Sequence, residues 1–355
     1  MTRIEIRHLR NLSSVSLLPS PGLNILEGVN ASGKTSFIEA IHILGLARSF
    51  RTLKVDRLVQ HGQAAFTLFA EVDDPSRHRL GIERTISGEV ELRLDGRRLQ
   101  SRSELASLLP FQLITPESIT LLTGSPSERR SFIDWTMFHV EPNFQKVWNQ
   151  YNQNLKQRNA LLRQQNSSTL GLWSQGVVEY GVEIDRLRKR VIERLLPHLR
   201  HYVSLLVPEM ELQLGYRQGW RSELSLADAM EDSLDTDMKM HFTTCGPHRA
   251  DIIVKDGKEK VADLFSRGQL KLLLCAMKLA QMALLHEVKG SLPVVLIDDL
   301  PAELDSTHRN LLLSLLYQMD SQVFVTTTSR KLLDFSAWSN VKVFHVEHGE
   351  IKEVV

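Results

Sequence analysis

Gly28, Val29, Asn30, Ala31, Ser32, Gly33, Lys34 and Thr35 have the spacing G-x-x-x-x-G-K-S/T. This is the pattern of a phosphate-binding loop, and each residue type has a physical reason. Glycines let the backbone curl until its N–H groups point inward at phosphate oxygens. A helix starting near Gly33 aims its positive dipole end at the same point. Lys34 neutralises the β- and γ-phosphates of a nucleoside triphosphate, and Thr35 offers a hydroxyl to the magnesium ion that accompanies it. The expected cofactors are therefore ATP and Mg2+.

A phosphate loop needs a carboxylate at the end of a neighbouring strand. The apolar run Val294–Ile297 ends in Asp298 and Asp299. Asp298 is expected to hold magnesium, directly or through water, and Asp299 to orient the attacking water. Lys34 and Asp299 are thus the candidate catalytic residues. A buried strand ending in two solvent-facing acids is the simpler alternative.

The elements needed to position these groups can be read around them. Ile4 and Ile6 open an alternating stretch, and Leu23–Leu26 is a short buried-type strand leading into the loop. On the helix after the loop, Phe37, Ile38, Ile41 and Leu44 recur at helical spacing. Phe69, Leu80, Ile82, Val90, Leu92 and Leu94 lie in alternating runs punctuated by Ser87-Gly88 and Asp95-Gly96, which are hairpin signals. From about residue 127 to 233 glycines become sparse and helix formers dominate. Residues 151–165 and 176–196 are predicted as long helices, the second closed near Pro197. From about 240 the α/β texture returns. Asp305, Ser306 and Thr307 can cap a helix over 310–318. Residues 322–325 read as a strand, and 341–346, His348-Gly349 and 351–354 as a closing hairpin.

The 355 residues are enough for one large domain or two smaller ones; 42% are apolar and 24% charged, as in an ordinary globular protein. The net charge of +1 leaves a nucleic-acid partner open, because a local basic surface can be balanced elsewhere. Cys245 and Cys275 can form neither a disulfide framework nor a tetrahedral zinc site alone. Met1–Leu12 lacks a secretory apolar core, and no apolar run approaches the roughly 20 residues that span a bilayer. A cytoplasmic location and no membrane partner are expected.

Further segments carry a resemblance. Leu264 to Leu270, containing Ser266, Arg267, Gly268 and Gln269, precedes a long apolar helix over 272–285. It resembles the signature sequence of the ABC-type ATPases, usually Ser-Gly-Gly-Gln. Asp298 to Asp305 resembles the stretch from the Walker B strand to the D-loop in the same ATPases, with the seven-residue spacing preserved. Ile4 to Leu12 with Gly22 to Gly28 resembles the N-terminal half of SMC-type heads. Ala47 to Thr52, Ile114 to Glu117, Arg129 to Trp135, Gly246 to Asp251 and Leu264 to Lys271 together resemble the RecF family of bacterial recombination and repair proteins, over essentially the whole chain.

The resemblance implies an α/β fold: an ABC/SMC-like P-loop ATPase head, with a mixed sheet whose N-terminal part is antiparallel. The head would comprise residues 1–120 and 240–355, with a mainly helical lobe, 121–239, inserted between them. Ser266, Gly268 and Gln269 would bind the γ-phosphate held by a second copy of the chain, so that ATP drives homodimerisation. Gln112 falls where the Q-loop glutamine of ABC ATPases touches magnesium. The family further implies DNA binding at gaps and single/double-strand junctions. It implies work with RecO and RecR in loading RecA, and a part in replication and in the SOS response to DNA damage.

Two departures from the wider ABC pattern bear on rate. Asp299 stands where a catalytic Glu is usual, and Thr326, Thr327 and Thr328 follow the strand where transporters carry a switch His. Both favour slow hydrolysis. The nucleotide-binding subunit of a membrane transporter is the alternative reading, and the same two departures argue against it. Coiled-coil chromosome-tethering ATPases need sustained heptads over hundreds of residues.

Basic clusters are candidates for phosphate contact in DNA: Arg48/Arg51/Lys54/Arg57, Arg97/Arg98/Arg102, Arg129/Arg130, Lys156/Arg158/Arg163 and Arg186/Arg188/Lys189/Arg190/Arg194. Against this, a charge run on a helix is usually a solvated face, and Glu183, Asp185 and Glu193 are available as helix partners. Arg48 and Arg51 have a second possible role, facing the nucleotide or the dimer seam instead. His248 and Arg249 either line a DNA-facing surface or form a structural turn.

Overall fold

The computed structural model describes residues 1–73, 76–166 and 168–354. In chain order its strands are β1 (Arg3–Leu9), β2 (Leu12–Leu17), β3 (Leu23–Glu27), β4 (Ala65–Asp73), β5 (Arg77–Thr85), β6 (Val90–Leu94), β7 (Arg97–Arg98) and β8 (Phe111–Ile114). They continue with β9 (Leu212–Arg217), β10 (Asp251–Asp256), β11 (Glu259–Lys260), β12 (Val294–Ile297), β13 (Val323–Thr327), β14 (Val341–Glu347) and β15 (Glu350–Glu353). The longer helices are α1 (Lys34–Leu46), α2 (Pro126–Val140), α3 (Phe144–Gln164), α4 (Leu170–Leu206), α5 (Arg267–Lys289) and α6 (Ser306–Gln318). The chain divides into two compact units, residues 1–118 with 290–355, and residues 119–289.

In the first unit, β2-β1-β4-β5-β6-β7 form an antiparallel sheet, and β15-β14-β3-β13-β12-β8 form a second sheet that is parallel except at β15. The antiparallel strands alternate. Ile4, Ile6, Leu68, Leu80 and Ile82 enter one core, while their neighbours face outward. The central parallel strands β12 and β13 are buried along their whole length, as expected where both faces are covered. Helix α1 joins the same core cluster as both sheets. It is therefore buried nearly all round rather than along the single stripe Phe37, Ile38, Ile41 and Leu44.

The parallel strands set the site. Ile297 is level with Val325, and Val325 with Ile25. The next residues, Asp298 after β12 and Thr326 in β13, therefore emerge beside the loop that follows β3. Open α/β sheets bind ligands at such carboxyl ends.

The second unit is built on α2 to α5 with the small sheet β11-β10-β9. As a compact unit it runs on to residue 289, past the boundary near 240 expected from the sequence. Strand β10 pairs along its length with β9, which lies inside the segment expected to be helical. Helix α5 packs on α4 and α2, and Gln281 Nε2 donates to Phe132 O at 2.7 Å and Thr136 Oγ1 at 2.6 Å. Helix α5 is thus part of the second unit.

Pro197 does not close α4, which continues to Leu206. Proline inside a helix costs about 3 kcal/mol. Here Leu195, Leu199, Val203 and Leu206 are all buried on either side of it, and their packing offsets the lost hydrogen bond. Helix α5 also corrects the expectation of no membrane-length apolar segment. By length and composition it is apolar enough to cross a bilayer, but most of its apolar surface is buried in the unit's core.

Candidate functional site

The phosphate loop is shaped by contacts that exclude side chains. A Cβ on Gly28 would stand 2.2 Å from Val346 O, and Gly33 has φ +125°, a conformation open to glycine. Ala31 also has positive φ, at 64°. Val29 is 71% exposed. Ser32 Oγ is buried without a hydrogen-bond partner, which suits a loop whose remaining partner is a ligand.

A cleft of about 440 Å³ opens at this point, lined by Asn11, Asn30, Ala31, Gly33, Lys34, Thr35, Ser36, Arg51, Asp298, Asp299 and Thr326. Lys34 Nζ donates to Gly28 O at 2.7 Å and Val29 O at 2.8 Å. An anion entering the loop offers that ammonium a charged partner in their place. Burial lowers the Lys34 pKa, while Asp299 and Asp298 hold it up.

Thr35 Oγ1 donates to the Asp298 carboxylate, 2.9 Å from Oδ2 and 3.1 Å from Oδ1. Thr326 Oγ1 donates to Asp298 Oδ1 at 2.7 Å and accepts from Asp299 N at 2.7 Å. Burial raises the Asp298 pKa; the two hydroxyls oppose that shift and neighbouring Asp299 adds to it. A buried carboxylate beside a hydroxyl and a second carboxylate is a hard-oxygen donor set that fits magnesium. Among the described residues no cluster of three His, Cys, Asp or Glu side chains could hold a metal. Magnesium does not require one, because it is usually held by one or two carboxylates together with substrate phosphates.

Asp299 lies at φ 54°, ψ 51°, a left-handed conformation for a non-glycine residue, with its side chain in the cleft. Such strain concentrates at functional sites.

Gln112, the expected magnesium contact, stands apart from the cleft. It lies within β8 opposite Val295, three residues short of the level of Asp298. It is buried and does not line the cleft. Strand alternation puts Phe111 and Leu113 into the main core and turns Gln112 to the other face.

Several cleft residues carried no assigned role in the sequence reading. Asn11 and Thr326 line the cleft directly. Behind them Glu39, fully buried on α1, accepts from Arg10 through both carboxylate oxygens at 2.8 Å and from Ser49 Oγ. It also pairs with Arg51 at 3.7 Å. Ser49 Oγ in turn accepts from the backbone N–H groups of Arg51 and Thr52. This network fixes the turn that presents Arg51 to the cleft. An acid inside the apolar run 37–41 was its only sequence signal.

In the second unit Ser266, Gly268 and Gln269 are exposed at the start of α5. Ser266 Oγ accepts from Gln269 N at 3.3 Å, and Gln269 Oε1 accepts from Ser266 N at 3.0 Å. This is a capping box. A Cβ on Gly268 would meet nothing closer than Ser266 Oγ at 3.9 Å, so its own chain does not require glycine there.

Four of the basic residues are structural, while Lys156 and Arg163 are exposed. Arg129 pairs with Asp251, and Arg130 donates to Ala250 O. Arg158 is buried on Asp237, and Arg188 on Asp134. Arg186, Lys189, Arg190 and Arg194 each have an acidic partner. Arg48, Lys54, Arg57, Arg97, Arg98 and Arg102 are exposed. His248 belongs to a turn: it bridges Tyr151 OH at 2.6 Å and Thr243 O at 3.1 Å. Arg249 lies 5.0 Å over the Phe242 ring.

The whole chain can be set beside known proteins. Residues 1–352 match the model of the RecF/RecN/SMC N terminal domain. The DNA replication and repair protein RecF of Stutzerimonas stutzeri (strain A1501) is 42% identical over 361 residues, covering 100% of this chain and 97% of that one. The chain belongs to the RecF family. The RecF of Marinomonas sp. (strain MWYL1) is 42% identical over 358 residues, covering 99% of this chain and 97% of its own. Among solved structures, the recombination mediator protein RecF-ATP of the RecFOR pathway has a TM-score of 0.88 at 25% identity, covering 100% of this chain and 97% of that chain. The Smc head domain of Pyrococcus furiosus, at TM-score 0.62 and 18% identity over 99% of this chain and 95% of its own, shares the fold. The RecF-type head, an α/β ATPase fold with an inserted helical lobe, is therefore the architecture of this chain.

Proposed function

We propose that this chain is an ATP-gated, DNA-binding repair protein. ATP occupies the cleft with its phosphates in the Gly28–Thr35 loop. Thr35 and Asp298 hold the magnesium ion, which neutralises charge on the β- and γ-phosphates when bound. Lys34 stabilises the charge that develops on the transferred phosphoryl group, and Asp299 orients water. The shorter reach of Asp299, compared with glutamate, makes hydrolysis slow and suits a switch. The observation that carries this reading is the convergence of Lys34, Thr35, Asp298 and Thr326 in one cleft at three adjacent strand ends, in a chain of RecF type.

The finer part of the reading concerns assembly. The exposed Ser266–Gly268 cap faces the γ-phosphate held by a second copy, and ATP closes the pair. A helical glycine costs about 1 kcal/mol against alanine, and the open space at Gly268 supports close approach by an outside group. The dimer engages gapped or single/double-strand junction DNA and assists RecA loading with RecO and RecR, as the RecFOR pathway of its structural relative suggests.

Light scattering with ATP against ADP tests the switch in the wild-type chain and in Ser266→Arg. An ATP-dependent dimer that is lost in the variant supports it; a monomer with ATP refutes it. DNA binding to gapped and blunt duplexes across salt concentrations tests the partner, with a steep negative salt dependence expected.

A further inference from the structure

The carbonyl oxygen of Ser32, inside the phosphate loop, accepts two hydrogen bonds. One comes from Asn11 Nδ2 at 3.2 Å and the other from Gly349 N at 2.8 Å. A trans peptide sets its C=O and the following N–H in opposite directions. Holding Ser32 O from this side therefore turns the Gly33 N–H the other way. The two donors come from opposite ends of the chain, the β1–β2 turn and the β14–β15 turn.

The hairpin turn is built for this contact. His348 and Gly349 both have positive φ, at 47° and 82°, the conformation of a tight two-residue hairpin. A Cβ on Gly349 would lie 2.0 Å from Asn11 O. Just before the turn, on β14, Val346 O packs on Gly28, the first residue of the loop. Asn11 Oδ1 also accepts from Ser36 Oγ at 2.9 Å, so Asn11 braces the loop and the first turn of α1 together.

We propose that Asn11 and the C-terminal turn at Gly349 are positioning residues for the nucleotide. They set the phosphate loop in its anion-receiving form, and the C-terminal hairpin thereby tunes nucleotide affinity. The proposal rests on the reading that ATP occupies the cleft. Gly349 does not line that cleft, so its effect must pass through the loop. The coupling is reciprocal: nucleotide bound in the loop also steadies the hairpin.

The test is the Kd of magnesium-ATP, by calorimetry on the full chain, for wild type, Asn11→Ala, Gly349→Ala and Gly88→Ala. Gly88 has φ +94° and nothing within 4 Å of a built Cβ. Its variant carries the same backbone strain without the contact. Kd is expected to rise on the order of tenfold in Asn11→Ala and Gly349→Ala, the loss of one net hydrogen bond, and to stay unchanged in Gly88→Ala. If Gly349→Ala does not fold, Asn11→Ala carries the comparison. Amide exchange at 345–350 in the wild type is expected to slow when ATP is added. Unchanged affinity in Asn11→Ala and Gly349→Ala, or exchange indifferent to ATP, overturns the proposal alone. A wild type that binds no ATP overturns the reading of the cleft as well.

Discussion

Thr326 stands between the two aspartates of the cleft: its hydroxyl donates to Asp298 at 2.7 Å and accepts from the Asp299 backbone N–H at 2.7 Å. One side chain thus orients the proposed metal-holding carboxylate and the start of the residue proposed to direct water. The hydroxyl at this position in β13 supports the site from the cleft wall.

Replacing Thr326 by valine keeps the shape and removes both hydrogen bonds. Supports behind metal ligands are typically worth 10- to 100-fold. Single-turnover hydrolysis is therefore expected to slow by at least about tenfold, with ATP affinity nearly unchanged and with rescue by Thr326→Ser. Equal rates in the valine variant would remove Thr326 from the site.

Asp298→Asn tests the metal. The magnesium-dependent part of ATP binding is expected to disappear, so that chelation by EDTA weakens binding in the wild type and not in the variant. Titration with and without EDTA reads this directly.

Glu39 is buried beneath Arg10, Ser49 and Arg51. Glu39→Ala leaves Arg10 without its bidentate partner. Breaking a buried pair in this way costs about 3–5 kcal/mol, and a lower urea midpoint for the variant measures it.

Arg158 is buried with Asp237 at 2.7 Å, and it also donates to Thr243 Oγ1 at 2.6 Å and Ser174 Oγ at 2.9 Å. Arg158→Ala is expected to cost about 3–5 kcal/mol. Arg158→Lys recovers little, because an ammonium cannot reproduce the fork. In Arg158→Lys the salt dependence of DNA binding stays that of the wild type, since Arg158 is not a surface cation.

His248 carries a pH signature. Burial lowers it from its ordinary 6.5 to about 4. Between those values the unfolded chain binds a proton that the folded chain does not, so this contribution is fully present above pH 6.5 and is lost as pH falls toward 4. Urea midpoints for wild type and His248→Asn are expected to differ at pH 7.5 and to converge toward pH 4.5. A constant difference would show that His248 takes up its proton equally in the folded and unfolded states, with no shift on folding.

The legible parts of this protein were those whose physics is local. The Gly28–Thr35 loop, the aspartates after β12 and the His348–Gly349 turn each occupy contiguous residues whose types admit few conformations. The Asp305 cap was legible for the same reason: its side chain accepts from His308 N, three residues on. Helix α5 was visible, but the unit to which it belongs was not.

Tertiary structure decided which charges are surface and which are braces. Arg158 and Arg188 looked like members of basic runs, yet their acids stand 79 and 54 residues away in sequence, and no local pattern records such a pairing. The same holds for β9, which forms only against β10, for Pro197, tolerated because α4 is packed on both sides of it, and for the two donors that hold Ser32 O. The sequence by itself determined that a triphosphate can be gripped, because a phosphate cradle is made of consecutive backbone groups. Only the folded chain decided what holds the cradle in shape, because those groups come from its two ends and meet only when the sheets close.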